Sequence, residues 1–326
     1  METILVVGGA GYIGSHMLAF LKDKPVDVIV IDDLSSGHLD SVVHGEFIHS
    51  DFSDQAVLEK IFSKKNIATV MHFASYIQVS ESVLHPSKYY GNNVVKTIQL
   101  LDSMHRFGVK NIVFSSTAAI FGNPISLKLD ELHPKDPINP YGRTKNIIEQ
   151  VLKDYSAAYG ITSTCLRYFN AAGAHPDGLV GEKHEPETHL IPLAIKAALG
   201  ELKNIRVFGC DYPTCDGTAV RDYVHVMDIV EAHWLAHLYM KENSGAFAFN
   251  LGNGNGYTVR QIIDTVERLT NMPIEILLED RRLGDPPSLV ADSTKARGAL
   301  GWKPKYSNID VIVEHALGFI QKGRFK

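Results

Sequence analysis

Tyr141 and Lys145 stand four residues apart just after Asn139-Pro140, a pair suited to opening a helix. That spacing puts both side chains on one helical face. A tyrosine has an ordinary pKa of about 10 and is a poor base at neutral pH, so positive charge beside it is needed to favour the phenolate. Tyr141 is therefore a candidate general base that takes a proton from an alcohol, with Lys145 supplying the charge. The same spacing also occurs on exposed helix surfaces, and alone it leaves that reading open. Thr117 is a third candidate, in the run Ser115-Ser116-Thr117-Ala118-Ala119 after the apolar stretch Asn111 to Phe114. Its hydroxyl, at the exit of a strand, could share a hydrogen bond with a reacting oxygen or could simply satisfy backbone groups there.

An alcohol deprotonated in this way needs a hydride acceptor to be oxidised, and the N-terminus offers a place for one. Gly8-Gly9-Ala10-Gly11-Tyr12-Ile13-Gly14 follows the first apolar run and opens an amphipathic segment. Gly8, Gly11 and Gly14 permit a tight turn and close backbone approach to a pyrophosphate. Asp32 ends the second apolar run, where a carboxylate accepts bonds from ribose hydroxyls and repels a 2′-phosphate. The expected cofactor is NAD. Its oxidised nicotinamide would add positive charge beside Tyr141. Gly252-Asn253-Gly254-Asn255-Gly256 imitates a phosphate loop, but Thr258-Val259-Arg260-Gln261 after it has the form of a capping box and marks a strand-to-helix turn.

The elements that must position these groups are legible as runs of β-branched residues: Ile4 to Val7, Val28 to Ile31, Glu46 to His49, Val70 to Phe73, Asn111 to Phe114 and Ser163 to Tyr168. Amphipathic helical patterns separate most of them. This alternation predicts an α/β fold, a Rossmann-type doubly wound parallel sheet with helices on both faces and ligands at the strands' carboxyl ends. After about Asn170 the texture turns to Gly, Pro, His and Asp. The expected division is an NAD-binding domain over 1–169 and a smaller α/β substrate-binding lobe over 170–326, with segments returning to the first domain.

Composition narrows the class. With 326 residues, 45% hydrophobic and 21% charged, the chain is an ordinary globular protein. A net charge of −5 and scattered Lys and Arg offer no field for nucleic acid, so none is expected. Three cysteines without a C-x-x-C pair suggest neither a disulfide framework nor a zinc site. His233 and His237 share a helix face, but Trp234 replaces the Glu of H-E-x-x-H, and no metal is expected there. No apolar run is long enough to span a bilayer and no signal peptide is evident, which makes a soluble cytoplasmic protein the expectation.

These motifs, together with His72-Phe73-Ala74-Ser75, Tyr89-Tyr90-Gly91-Asn92-Asn93, Arg167-Tyr168-Phe169-Asn170 and Arg221-Asp222-Tyr223-Val224-His225-Val226, resemble the UDP-glucose 4-epimerase family of extended short-chain dehydrogenases over nearly the whole chain. The resemblance implies an isomerase that oxidises C4 of a UDP-hexose and re-reduces the 4-keto sugar from its other face, interconverting UDP-galactose and UDP-glucose with tightly bound NAD. It implies cofactor contacts at Tyr12, Ile13, Asp32, Asp51, Phe73, Asn92, Tyr141, Lys145 and Tyr168. A turn aspartate is an equally good reading of Asp51 from the sequence itself. The UDP-sugar site it implies comprises Thr117, Tyr141, Asn170, His189, Leu190, Phe208, Arg221, Arg282, Asp285 and Leu289. Arginines there would present forked donors to the diphosphate. The family is commonly a homodimer, with the Tyr141 helix at the interface.

Two positions depart from the family pattern. Ile77 replaces a lysine that often approaches the cofactor. Leu289, intermediate in size, stands where the family varies between bulky residues and small ones that admit N-acetylated sugars, so UDP-N-acetylglucosamine stays an alternative substrate. A 4,6-dehydratase would share the first oxidation but needs acids after the threonine, and Ala118 and Ala119 cannot transfer protons. A non-catalytic NAD sensor on the same fold would have no use for a base.

Overall fold

In the computed structural model, which describes residues 2–282 and 285–324, six strands run in chain order: β1 (Glu2–Val7), β2 (Val26–Asp32), β3 (Glu46–His49), β4 (Ile67–His72), β5 (Asn111–Thr117) and β6 (Thr162–Tyr168). Downstream lie β7 (Asn170–Ala172), β8 (Ile205–Phe208), β9 (Val220–His225), β10 (Ala246–Leu251), β11 (Gly256–Thr258), β12 (Ile276–Glu279) and β13 (Ser288–Leu289). Seven of them form one parallel sheet in the order β10-β6-β5-β4-β1-β2-β3. Such a sheet needs apolar residues on both faces, because helices cover both. In β1, Ile4 and Val6 enter one core with Leu18, Val30 and Ile229, while Leu5 and Val7 enter the other with Ile31, Leu100 and Ile148. The chain leaves β1 toward β2 on one side and returns to β4 on the other, which opens a crevice at the carboxyl ends of β1 and β4.

β1, β2 and β4 begin two to three residues earlier than the sequence reading places them, and two carboxyl ends also differ from it. Phe73 lies beyond β4, its N–H donating to Val7 O at 2.8 Å as the chain turns away. Ser115 to Thr117, expected as a strand exit, continue β5 and pair with Leu166 to Tyr168. They can stay in the ladder because the buried Ser116 hydroxyl finds a partner, the carboxylate of Glu149 at 2.7 Å.

β10 joins the large sheet beside β6 from far down the chain, carried there by the Val226–Glu242 helix. The remaining strands build two small sheets, with β9 between β11 and β13 and also pairing β7, and with β12 beside β8. A separate core of Ile191, Ile195, Val207, Ile263 and Val313 lies under them. The turn at 252–256 leads into the expected capping box: Thr258 Oγ1 accepts from Gln261 N at 3.0 Å and Gln261 Oε1 accepts from Thr258 N at 2.9 Å.

Among the described residues, His16, His72, His225, His233 and His237 are each at most 1% exposed. Burial pushes His72 and His225 down to about 3 and His16, His233 and His237 down to about 4. Below the ordinary histidine value near 6.5 the unfolded chain therefore binds protons that the folded chain refuses, and stability falls with pH until the folded groups titrate. Asp222 and Asp228, raised by burial to about 6, and His189, raised to about 10 by Glu182 and Glu187, act in the opposite direction but are fewer. The melting temperature should consequently fall between pH 7 and pH 5 in a calorimetric series, and a flat or rising profile would contradict the histidine account.

Candidate active site

The carboxyl ends of β1, β4, β5 and β6 surround a cavity of about 490 Å³. A cavity of this size suits small-molecule and cofactor binding. Gly8, Gly11, Tyr12 and Ile13 form one wall, where the loop after β1 enters the Tyr12–Leu21 helix. Gly14 lets that helix start against the loop itself: a Cβ on it would lie 2.1 Å from Gly8 O and 2.8 Å from Gly9 Cα. A helix's first-turn N–H groups lack intrahelical partners, and the residues that carry them here, Tyr12, Ile13 and Gly14, line the cavity, an anion cradle of the kind a dinucleotide pyrophosphate occupies. Asp32 closes its far end, its carboxylate accepting from Ala10 N and from Leu34 N, each at 2.9 Å. Burial pushes the Asp32 carboxyl up, against these bonds. The cradle that a Cβ would fill and the carboxylate at the end of β2 fit NAD.

The cavity's middle is aromatic and amide. Phe73, Asn92 and Tyr168 line it. Tyr168 is fixed by hydrogen bonds to Ser115 Oγ and, at 3.0 Å, to His233 Nε2. His233 and His237 are otherwise engaged with Ile229 O and Thr69 Oγ1. Asp51 sits between Ser50 and Phe52, which line the cavity, but its carboxylate accepts from Lys96 Nζ at 2.5 Å and Ser53 N at 2.8 Å.

Tyr141, Lys145 and Thr117 meet at the end of β5. Asn139 caps the Pro140–Tyr159 helix, its side chain accepting from Gly142 N at 2.8 Å. Gly142 allows close docking on the turn after Thr117, since a Cβ there would lie 2.4 Å from Ala119 O. The docking brings Thr117 within hydrogen-bonding reach of the Tyr141 phenol. Lys145 is buried, donates to Ser115 O at 2.9 Å, and holds its ammonium 6.0 Å from the centre of the Tyr141 ring. Burial pushes Tyr141 above its ordinary value, opposed by the Thr117 bond, and pushes Lys145 down to about 7. The lysine alone does not offset the burial of the phenol.

The remaining expected residues divide between two places. Asn170 and His189 line the same cavity, and Leu190 begins the Leu190–Ala198 helix against the core under the small sheets. Phe208 on β8 and Arg221 on β9 instead meet Arg282 and Asp285, which lie between β12 and β13. The Arg282 guanidinium lies 3.9 Å from the centre of the Phe208 ring, and Arg221 pairs with Asp285. Leu289 is the register partner of Arg221 and packs against the cluster of Ala118, Ile120, Phe121 and Leu129.

A family model described as the NAD dependent epimerase/dehydratase family matches residues 4–252. The chain belongs to that family. Among curated relatives it is 48% identical to a UDP-glucose 4-epimerase of Halalkalibacterium halodurans over 313 residues, covering 96% of this chain and 94% of the relative. Among solved structures it superposes with a TM-score of 0.95 on a UDP-glucose 4-epimerase from Brucella ovis in complex with NAD, at 46% identity and 98% coverage of both chains. A UDP-glucose 4-epimerase from Bifidobacterium longum in complex with NAD+ and UDP gives a TM-score of 0.93 at 38% identity, covering 99% of each chain.

Around this epimerase/dehydratase fold, three features escaped the sequence reading. Asn93, beside the expected Asn92, accepts from Tyr76 N at 2.9 Å and donates to Tyr76 O at 3.0 Å and Thr144 Oγ1 at 3.2 Å, so it ties the 74–78 loop to the Tyr141 helix. It sits in a π-helical turn, Tyr90–Val95, which no residue pattern announced. Tyr12 does more than line a loop: its hydroxyl donates to Gly173 O at 2.7 Å. Finally, Glu182, His184, Glu187 and His189 bring side-chain ligand atoms within 4.8 Å of one another, and all but Glu187 line the cavity. Burial would lower the His189 pKa, yet Glu182 and Glu187, 2.8 and 3.0 Å from its Nδ1, raise it to about 10. Glu-x-His-x-x-Glu-x-His was the available signal for this cluster.

Proposed function

We propose that the protein is a UDP-glucose 4-epimerase that interconverts UDP-galactose and UDP-glucose, holding NAD through Gly8, Gly11, Tyr12, Ile13, Gly14 and Asp32. The observation that carries this reading is the meeting of Tyr141, Thr117 and Lys145 in the cavity whose other wall is the glycine cradle. When bound, NAD supplies the acceptor and donor of a hydride at C4 of the sugar, and its positive ring favours the Tyr141 phenolate. Tyr141 accepts the proton of the C4 hydroxyl and later returns it. Thr117 shares a hydrogen bond with the reacting oxygen, and Lys145, pinned by Ser115 O, is held on the same side, where the charge that burial weakens would be favoured by a Tyr141 phenolate. Arg221 and Arg282 grip the diphosphate with forked donors, leaving the hexose the freedom to present either face. Ala118 and Ala119 offer no acid for a dehydration. Curated relatives at 48% identity bear the name UDP-glucose 4-epimerase, which supports this reading over an N-acetylated substrate.

In this reading residues 1–169, completed by β10, form the cofactor lobe, and most of 170–326 forms the nucleotide-sugar lobe. Incubation of the purified protein with UDP-galactose and no added NAD should yield UDP-glucose. Protein that is inert, and stays inert after NAD is added, would sink the assignment.

A homodimer and a cytoplasmic setting complete the proposal. Val83, Leu84, Val95 and Ile147 are exposed apolar residues on the Val79–Leu84 helix, the π turn and the Tyr141 helix, which supports pairing through that face. Light scattering should give the mass of two chains, and Ile147→Glu should reduce it to one; a monomeric wild type would end this part. The free thiols of Cys165, Cys210 and Cys215 suit a reducing compartment, and no helix among the described residues is long and apolar enough to cross a membrane.

A further inference from the structure

The Tyr141 helix carries a stripe that continues past the lysine. Tyr141, Lys145 and Glu149 are spaced at four-residue intervals, so all three face the sheet. Glu149 is 2% exposed, a position a carboxylate occupies only when fully paired. Its partners are specific. Arg167 on β6, also 2% exposed, donates from Nε to Oε1 at 2.8 Å and from Nη2 to Oε2 at 2.7 Å, a bidentate grip. Ser116 on β5 donates to Oε1 at 2.7 Å, and Lys135 Nζ approaches Oε2 at 3.4 Å.

Each grip lands beside a residue of the reaction site. Ser116 lies between Ser115, whose carbonyl holds Lys145 Nζ, and Thr117, which lines the same cavity as Tyr141 within reach of its phenol. Arg167 precedes Tyr168, whose hydroxyl bonds the side chain of Ser115. One buried carboxylate thus ties the catalytic helix to both strands that it must meet in register. A slide or rotation of that helix by a fraction of a turn would separate Tyr141 from Thr117 while leaving the glycine cradle on the other side of β1 intact.

We propose that Glu149, clamped by Arg167, is a positioning residue of the epimerase reaction, setting the phase of the Tyr141 helix against Thr117. The inference rests on the epimerase reading and deepens it. A purely structural ion pair would affect stability and leave turnover per folded molecule alone, so the test must separate the two. Replacing both partners with apolar residues of similar size avoids stranding one buried charge. The double variant Glu149→Met with Arg167→Met should therefore melt near the wild-type temperature and retain NAD. Its kcat for UDP-galactose should nevertheless fall at least tenfold, with KM changed less than threefold. Ser116→Ala, which leaves the ion pair in place and cuts only its tie to β5, should lower kcat severalfold by the same split. Should the double variant fail to fold, Ser116→Ala decides the matter. An active wild type with wild-type kcat in Ser116→Ala and in any folded double variant overturns the positioning role alone. An inert wild type overturns the epimerase reading and this role with it.

Discussion

Tyr141→Phe should lower turnover of UDP-galactose at least about a hundredfold while the protein keeps its NAD, because loss of a general base costs about 10² to 10⁴ in rate. The substitution removes one oxygen and leaves the ring, so the packing of the helix start on the Ala119 turn is unchanged. Lys145 keeps its bond to Ser115 O, since that bond does not involve the phenol. Substrate affinity should change little, as the groups proposed to grip the diphosphate, Arg221 and Arg282, lie on other elements. The expected signature is a fall in kcat and kcat/KM together, the mark of an interaction made in the transition state. Steady-state kinetics with measured NAD content per chain provides the check; near-normal kcat would remove Tyr141 from the mechanism.

Gly14→Ala is expected to remove NAD and with it essentially all activity. The added carbon would meet Gly8 O at 2.1 Å and Gly9 Cα at 2.8 Å, both backbone atoms that no side-chain rotation can move. The helix must retreat from the loop by about 1 Å, and a misplacement of that size costs about a hundredfold when it disturbs a positioned reactant. Retreat also splays the first-turn N–H groups that face the pyrophosphate. Gly318→Ala supplies the control, because a Cβ at Gly318 meets no atom within 4 Å. Absorbance of the purified proteins and NAD titration should show Gly14→Ala depleted and Gly318→Ala loaded. Equal NAD content in the two would refute the account of the cradle.

Much of this site was legible because its chemistry is local. The glycine loop follows its strand at once, Asp32 ends the next strand, and Tyr141 and Lys145 are one helical turn apart. Thr117 was found for the same reason, although its strand was read three residues too short: hydroxyls suggest an exit from a sheet, and nothing local reveals that Glu149 will satisfy Ser116. Apart from the Glu182 to His189 cluster, which is local and was passed over, the missed features depend on partners distant in sequence. Asn93 acquires its role only when the 74–78 loop and Thr144 arrive on either side of it. Glu149 reads as one more polar helix residue until Arg167 is brought beneath it. Phe208 and Arg282 were named through family resemblance, and their stacking required the downstream strands to be assembled first.

The strand contributed by Ala246–Leu251 bears on how the molecule is made. As the chain emerges from the ribosome, the sheet can assemble only as far as β6, whose outer edge then stays open while the next 77 residues are synthesised. An open, apolar strand edge is a template for pairing with another chain. The interval lasts on the order of seconds at cellular elongation rates. A gene fragment ending near residue 169 would make that transient exposure permanent. Dissection of this protein at its apparent lobe boundary should thus give aggregation, and a soluble cofactor-binding fragment would have to carry residues 226–251 with it.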